Sequence, residues 1–301
     1  MSYLIFSLSL LLIYIGLAQL LHIQFGLLGI ANFGVVGFWG FGMYGVGILR
    51  VQYDYSFVDA LVVMALFMAV ASYVLGRLIL RLETQAVLCA TIAFSTIVAL
   101  LTVTEKWLTF GVVGLGTIAY PIRIGWATEF LYFLFLIAMV VGLQYYVLKL
   151  HGSRLGRLMM AIRDNEELAA SLGKDTFRTK LIVFTITCTL MGVLGGFSAP
   201  LNQFLTPNML VPSVTFAVWI SLVIGGKEHP LGATLGVFVT FGLFDILIET
   251  YAPVSSGLSV MVPNIKLFLY GALLVAVLMY RPKGLFLRKE TDLFAAREAD
   301  K

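Results

Sequence analysis

The chain has 301 residues, of which 60% are hydrophobic, 13% aromatic and only 12% charged. Its mean hydropathy is +0.98 and its formal net charge +4, a balance that a soluble domain of this length does not reach. The composition therefore excludes a soluble enzyme, suggests no nucleic-acid partner and points to an all-α polytopic membrane protein in contact with lipid. The two cysteines, Cys89 and Cys188, lie in apolar runs and read as small hydrophobes. His22, His151 and His229 are far apart in sequence, so neither a disulfide nor a metal site is expected.

A span needs about 20 apolar residues. By that measure about nine segments are expected, at roughly 3–21, 27–49, 57–76, 86–104, 128–148, 177–198, 213–226, 231–250 and 264–280. The seventh is short enough to be re-entrant. The first lacks a basic leading region and a small-residue cleavage site, so it reads as a span and not as a signal peptide. With the N-terminus outside, Arg77, Arg81, the 149–181 stretch, Lys227 and the tail from Arg281 all face the cytoplasm. Only Arg50, Lys106, Arg123 and Lys266 of the 20 Lys and Arg are then left on the other side. Residues 1–287 read as one transmembrane domain and 288–301 as a cytoplasmic tail.

Several segments carry a pattern of their own. The second is glycine-rich, GLLGIANFGVVGFWGFGMYGVG, with Gly34, Gly37, Gly40, Gly42, Gly45 and Gly47 at short intervals. Small residues let another backbone approach closely, and helix packing is the expected use. The fourth carries Thr91, Ser95, Thr96, Thr102 and Thr104. Hydroxyls that bond back to helix carbonyls and hydroxyls that line a wet path fit this equally well, and Thr96 is a candidate for the path. The sixth has Thr185, Thr189, Gly192 and Gly196 on one stripe. The small-residue faces at 34–47 and 192–196 are expected to leave surface for a partner. The eighth holds Asp245 and Glu249 one turn apart. A lipid-facing carboxylate is costly, so Asp245 is expected to face the pathway or a polar contact, Lys266 among them. Ala199-Pro200 and Pro207 to Pro212 bracket an outside loop with Asn202 and Gln203, where Asn202 is a further pathway candidate.

Residues 149–181, KLHGSRLGRLMMAIRDNEELAASLGKDTFRTKL, form the longest polar interruption. They hold seven Lys and Arg and four acids. Leu155, Leu158, Met159 and Ile162 recur at helical spacing, which predicts an amphipathic helix. Asp164 with Glu167 three residues on predicts a capping box that starts a second helix, apolar at Leu168, Ala169 and Leu172. Gly173 sits where a left-handed C-cap is expected. Such a pair cannot cross lipid. It either anchors on the membrane surface, stays solvated, or presses against a partner.

The sequence contains no G-x-x-x-x-G-K-[ST] phosphate loop, and GGKEHP at 225–230 lacks the spacing. It has no H-E-x-x-H, no nucleophile elbow and no paired Cys-x-x-Cys, so transport fits better than intramembrane catalysis.

The stretch GRLMMAIRDNEELAASLG resembles the cytoplasmic loop of permeases from branched-chain amino acid ABC importers. Gly156, Arg157, Ala161, Ile162, Arg163, Asp164, Asn165, Glu166, Ala169 and Gly173 carry the match. GLLGIANFGVVGFWGFGMYG, RLETQAVLCATIAF, VGLGTIAYP, VIGGKEHPLGATLGV and RPKGLF are similar to further family stretches in the same order, from about residue 25 to 287. Thr84 and Ala86 depart from the pattern, as do Lys227, Glu228 and His229. The closing RPKGLF and the Ile118-to-Pro121 loop favour the M-type over the H-type permease.

The resemblance implies a heterodimer with a paralogous H-type permease, two cytoplasmic ATPase subunits, a periplasmic substrate-binding protein and a bacterial inner-membrane location. ATP and magnesium would be bound by the partner subunits, with no cofactor in this chain. The loop would be the coupling helix, with Arg157, Ile162, Arg163, Asp164, Asn165, Glu166, Glu167, Ala169 and Gly173 as the ATPase-coupling residues. Within it, Leu155, Met159 and Ile162 are expected to pack on the membrane domain, and Arg163, Asp164 and Glu166 to face the ATPase. Gly37, Gly45, Gly192 and Gly196 are assigned to helix packing. Related permeases import urea, short amides and aromatic acids, so cargo stays open within the class. A stand-alone secondary transporter is the alternative from another class.

Overall fold

The computed structural model describes residues 2–121 and 127–245, together with the single positions Phe268, Gly271, Ala272, Val275 and Met279. The described residues are helical and contain no strand, in keeping with the expected class. The helices are α1 (Ser2–Leu21), α2 (Val35–Gln52), α3 (Phe57–Ile79), α4 (Thr84–Thr104), the short α5 (Lys106–Thr109), α6 (Thr128–Gly152), α7 (Arg154–Asp164), α8 (Glu166–Ser171), α9 (Thr176–Asn202), α10 (Pro212–Gly225) and α11 (Gly232–Val237). A π-helical turn, His22–Leu27, prolongs α1, and a second one, Phe238–Asp245, prolongs α11.

Among the described residues, six helices are long and apolar enough to cross a bilayer: Leu4–Leu27, Phe57–Ile79, Thr84–Thr104, Thr128–Gly152, Thr176–Asn202 and Pro207–Gly225. Three of the nine expected segments fall outside that group. The second does not start at residue 27. Residues 28–34 have no helical structure, and α2 begins only at Val35. The eighth is described to Asp245, and the ninth lies outside the described residues apart from single positions. The side chain of Asp245, Glu249 and the expected pairing with Lys266 also lie outside them. At the far end of α9 the helix runs through Pro200 to Asn202, so the loop opens at Gln203 and not at the proline. Near a C-terminus the ring displaces only one carbonyl partner, which a helix end tolerates.

The core is built on α2 and α9. Gly42 and Gly195 bring the two backbones into contact. A Cβ on Gly42 would overlap the Gly192 carbonyl, and one on Gly195 would overlap the Trp39 carbonyl. Trp39 Nε1 donates to Ser198 Oγ across the same crossing at 2.8 Å. Gly45 leaves room for Met64, Gly192 for Met68, and Gly196 for Leu61 and Val46. The small-residue faces are thus consumed inside this chain, between α2, α3 and α9. The expectation that they leave surface for a partner is corrected. The spans with most exposed surface are α3, α4 and α6, where 22–28% of the apolar window is buried, against 61% for α9.

The basic residues separate by end. Arg163 reaches Gly26, Lys227 lies over the Phe25 ring, and Arg81 lies over the Phe177 ring. The end of α1, the α3–α4 turn, the α7–α8 loop and the α10–α11 hairpin therefore share one end of the molecule. At the opposite end Arg50 donates to the Ala119 carbonyl. There Leu115 and Leu205 exchange two backbone hydrogen bonds, of 2.9 and 2.8 Å, which tie the 111–121 loop to the start of the 203–211 loop.

Candidate functional site

The helix pair at the basic end is capped locally, from its own neighbours. Ser153 Oγ accepts from Gly156 N–H at 3.0 Å and starts α7. Asn165 Oδ1 accepts from Leu168 N–H at 2.9 Å and starts α8. The expected cap was Asp164 with Glu167, one residue early. Asp164 is instead the last residue of α7, and its carboxylate pairs with Arg163 Nε at 2.9 Å. Asn165 takes the extended backbone (φ −157°, ψ 100°) that breaks the helix, so the capping role falls to its amide. Glu166 and Glu167 then sit in the first turn, where the helix dipole favours acids. Gly173 has φ +76°, its N–H bonds to the Ala170 carbonyl, and Lys174 N–H bonds to Ala169. These two bonds form a Schellman C-cap, as expected at that glycine. Asp175 Oδ1 accepts from Arg178 N–H at 2.9 Å and opens α9.

The pair has an inner and an outer face. Gly156, Met159, Ile162 and Ala169 are buried against the membrane domain. Burying Met159 and Ile162 stabilises the docking by about 1.5–3 kcal/mol each. Leu155, expected on that face, is 43% exposed, and Leu168 and Leu172 are 58% and 72% exposed. Arg157 is exposed and donates to the Gly152 carbonyl at 3.1 Å. Glu166 pairs with Lys180 at 2.5 Å, while Glu167 is exposed on that face. Arg163 departs most from expectation. It turns inward, and Nη1 donates to the Gly26 carbonyl at 2.5 Å. Three exposed leucines thus stand on the outer face, outside the spans.

Directly inside Arg163 the chain is irregular. Residues 28–34 run without helix, buried among the spans, and the α2 N-terminus opens there. Irregular backbone at membrane depth is stable only when protein groups satisfy it. Here they come from distant elements. Phe33 N–H donates to Thr91 Oγ1 (3.0 Å) and Gly37 N–H to Ser95 Oγ (3.2 Å), both on α4. Val36 N–H donates to Thr215 Oγ1 on α10 (3.1 Å). Gly34 N–H donates to Asn32 Oδ1 (2.7 Å). Asn32 Nδ2 donates to Gln24 Oε1 (2.9 Å), Gln24 Nε2 to Thr187 Oγ1 on α9 (2.5 Å), and Trp219 Nε1 to the Asn32 carbonyl (2.9 Å). Cys188 Sγ, fully buried, lies 3.2 Å from Gln24 Nε2. Gly37 lacks a Cβ for a reason: one would fall 2.7 Å from Ser95 Oγ and block that cap.

The hydroxyls on α4 divide into two groups. Ser95 caps α2 and Thr91 holds Phe33 just before it, while Thr96, Thr102 and Thr104 bond back to helix carbonyls. Thr96 is exposed on the outer face of α4, as is Cys89, away from this network. Asn202 donates to the Ser198 carbonyl at 2.9 Å at the end of α9. The structure does not bring Thr96 and Asn202 together. Gln24, Asn32, Thr187 and Thr215 were not singled out from sequence. The lone polar pair Gln24 and Asn32 flanking Gly26 and Gly29 was the available signal.

At the opposite end a recess of about 250 Å³ is lined by Ile5, Phe6, Ser9, Tyr120, Glu129, Leu201 and Gln203. Burial pushes the Tyr120 phenol above its ordinary range, and the Gln203 side chain opposes this by hydrogen bonding to it. An apolar groove of about 460 Å³ runs between α2, α3, α4 and α5.

The chain is 28% identical to the high-affinity branched-chain amino acid transport system permease protein LivM of Escherichia coli K12, over 92% of this chain and 68% of that protein. It is 28% identical to the LivM protein of Salmonella typhimurium, over 91% and 68% of the two chains. It is 26% identical to a probable LivH permease of Methanocaldococcus jannaschii, over 50% and 45%. Residues 2–278 match the family described as branched-chain amino acid transport system / permease component. The chain belongs to that permease family.

Proposed function

We propose that this chain is the M-type membrane subunit of an ATP-driven ABC importer for branched-chain or other hydrophobic amino acids. It spans the bacterial inner membrane about nine times with the basic end in the cytoplasm. It pairs with an H-type permease, takes substrate from a periplasmic binding protein, and carries no ATPase site of its own. Two cytoplasmic ATPase subunits supply hydrolysis. The single observation that carries this reading is the two-faced helix pair at the basic end. Met159, Ile162 and Ala169 dock it on the spans, while Leu155, Leu168 and Leu172 stay exposed outside them. A loop that only anchored on lipid would bury those leucines in the bilayer interface with its basic residues around them. This one presents them beside Arg157 and Glu167, the pattern of a partner-facing surface.

In this reading ATP-driven closure of the partner subunits pushes on α7 and α8, and the buried inner face passes the push to the spans. Uptake of labelled leucine against labelled urea, in a strain lacking other importers, tests the cargo. Leucine accumulation that depends on this chain supports the assignment. Accumulation of urea alone overturns the amino-acid part and leaves the ABC part standing.

A further inference from the structure

We infer that Arg163 is not an ATPase-docking residue but the residue that joins the loop to the broken start of α2, so that loop motion reaches the transport path through residues 22–34. This inference rests on the importer reading above and adds the route inside the membrane. The geometry is specific. Arg163 lies in the last turn of α7, with Nε held by Asp164 and Nη1 on the Gly26 carbonyl. Its aliphatic stem lies against Gly29, where an added Cβ would stand 3.1 Å from Cγ. Gly29 has φ +78°, a conformation that glycine adopts without strain. Gly26 is gripped from two further sides, since a Cβ there would overlap the Lys227 carbonyl and the His22 ring.

The gripped segment leads straight into the buried network. Gly26 is two residues from Gln24, and Gln24 is bonded to α9 through Thr187 and to Asn32. Ile30 N–H returns to the Gln24 carbonyl at 2.9 Å, so Gln24 and the 28–34 segment move together. Asn32 in turn holds Gly34 N–H and the Trp219 indole of α10. One displacement of Gly26 is therefore delivered along two residues of backbone to Gln24, and from there by hydrogen bonds to α2, α9 and α10. The segment begins as a π-helical turn, a form that recurs where helices do functional work. Among the described residues the loop also meets the spans through the Glu166–Lys180 pair, which reaches only the start of α9, and through apolar packing at Met159, Ile162 and Ala169, which slides more readily than a directed bond.

The test uses the assembled importer in lipid, with three readouts: ATPase subunits retained on purification, ATP hydrolysis, and substrate uptake. For Arg163→Ala we expect retention and hydrolysis to stay within about twofold, and uptake to fall by about 5- to 150-fold, the range of ordinary coupling energies. Arg163→Lys, which keeps a donor for the Gly26 carbonyl, should recover part of the uptake. Gly29→Ala, which leaves Arg163 in place but forces its stem away, should uncouple in the same way. Hydrogen exchange in the unaltered complex should show residues 22–34 changing protection when ATP binds. Loss of ATPase retention in Arg163→Ala would make it a docking residue and overturn the inference, as would unchanged uptake. Unchanged exchange at 22–34 would overturn it without recourse to any variant. If the unaltered chain retains no ATPase subunit at all, the importer reading itself fails, an outcome distinct from these.

Discussion

Two helix starts in this chain meet the same demand in different surroundings. α7 and α8 open in the polar loop, and their free N–H groups are capped by Ser153 and Asn165, three residues from the groups they serve. α2 opens among buried spans, and its N–H groups at Val36 and Gly37 are capped by Thr215 and Ser95, which are 179 and 58 residues away in sequence. In water an uncapped N–H still finds solvent, so a local cap is a modest gain. Among buried spans no solvent is available, and the backbone must be satisfied by whatever the tertiary fold brings. The loop caps are thus independent of the rest of the molecule. The α2 caps exist only when α4, α9 and α10 are all in place.

The sharpest way to break this contrast is to prevent the crossing on which the buried start depends. Gly195→Val puts a side chain into the Trp39 carbonyl, and we expect the protein to fail to accumulate in the membrane fraction. Gly142→Val, at a helical glycine with nothing within 4 Å, should accumulate normally. An immunoblot of both variants measures the difference. Next in size is the loss of single caps. Ser95→Ala or Asn32→Ala leaves a buried backbone N–H unpaired and should cost about 1–3 kcal/mol, read as a lower unfolding temperature in detergent. Thr96→Val, whose exposed hydroxyl only bonds back to Ile92, should change stability by less than about 0.5 kcal/mol. Among the caps, the smallest effect belongs to the loop. Asn165→Ala should cost about 1 kcal/mol and show as faster amide exchange over 166–173, with the unfolding temperature of the spans unchanged.

The same contrast explains what the sequence discloses. The amphipathic period of α7, the break before α8 and the left-handed Gly173 are local features, and each is legible within a window of about one helical turn. The sequence alone puts the cap of α8 one residue early because Asp164 and Asn165 are both competent caps, and only the backbone break decides between them. The inward turn of Arg163 is not legible, since its acceptor, the Gly26 carbonyl, is 137 residues away. The start of α2 is hidden for the same reason. An apolar run with glycines reads as one span, and the hydroxyls that make the break stable sit on other helices. The small-residue stripes on α2 and α9 were legible as packing faces, but a stripe alone does not say whether its partner is the same chain or another.

The central claim is that the outer face of the α7–α8 pair is where an ATPase subunit docks. Leu168→Asp combined with Leu172→Asp tests it most directly, because both side chains are exposed and lie outside every span, so insertion is untouched. The complex is purified through a tag on this chain, and the ATPase subunits retained are measured against the unaltered protein. Membrane levels equal to the unaltered protein with ATPase retention lost is the predicted result. Full retention in the double variant would contradict it and leave the helix pair a surface anchor.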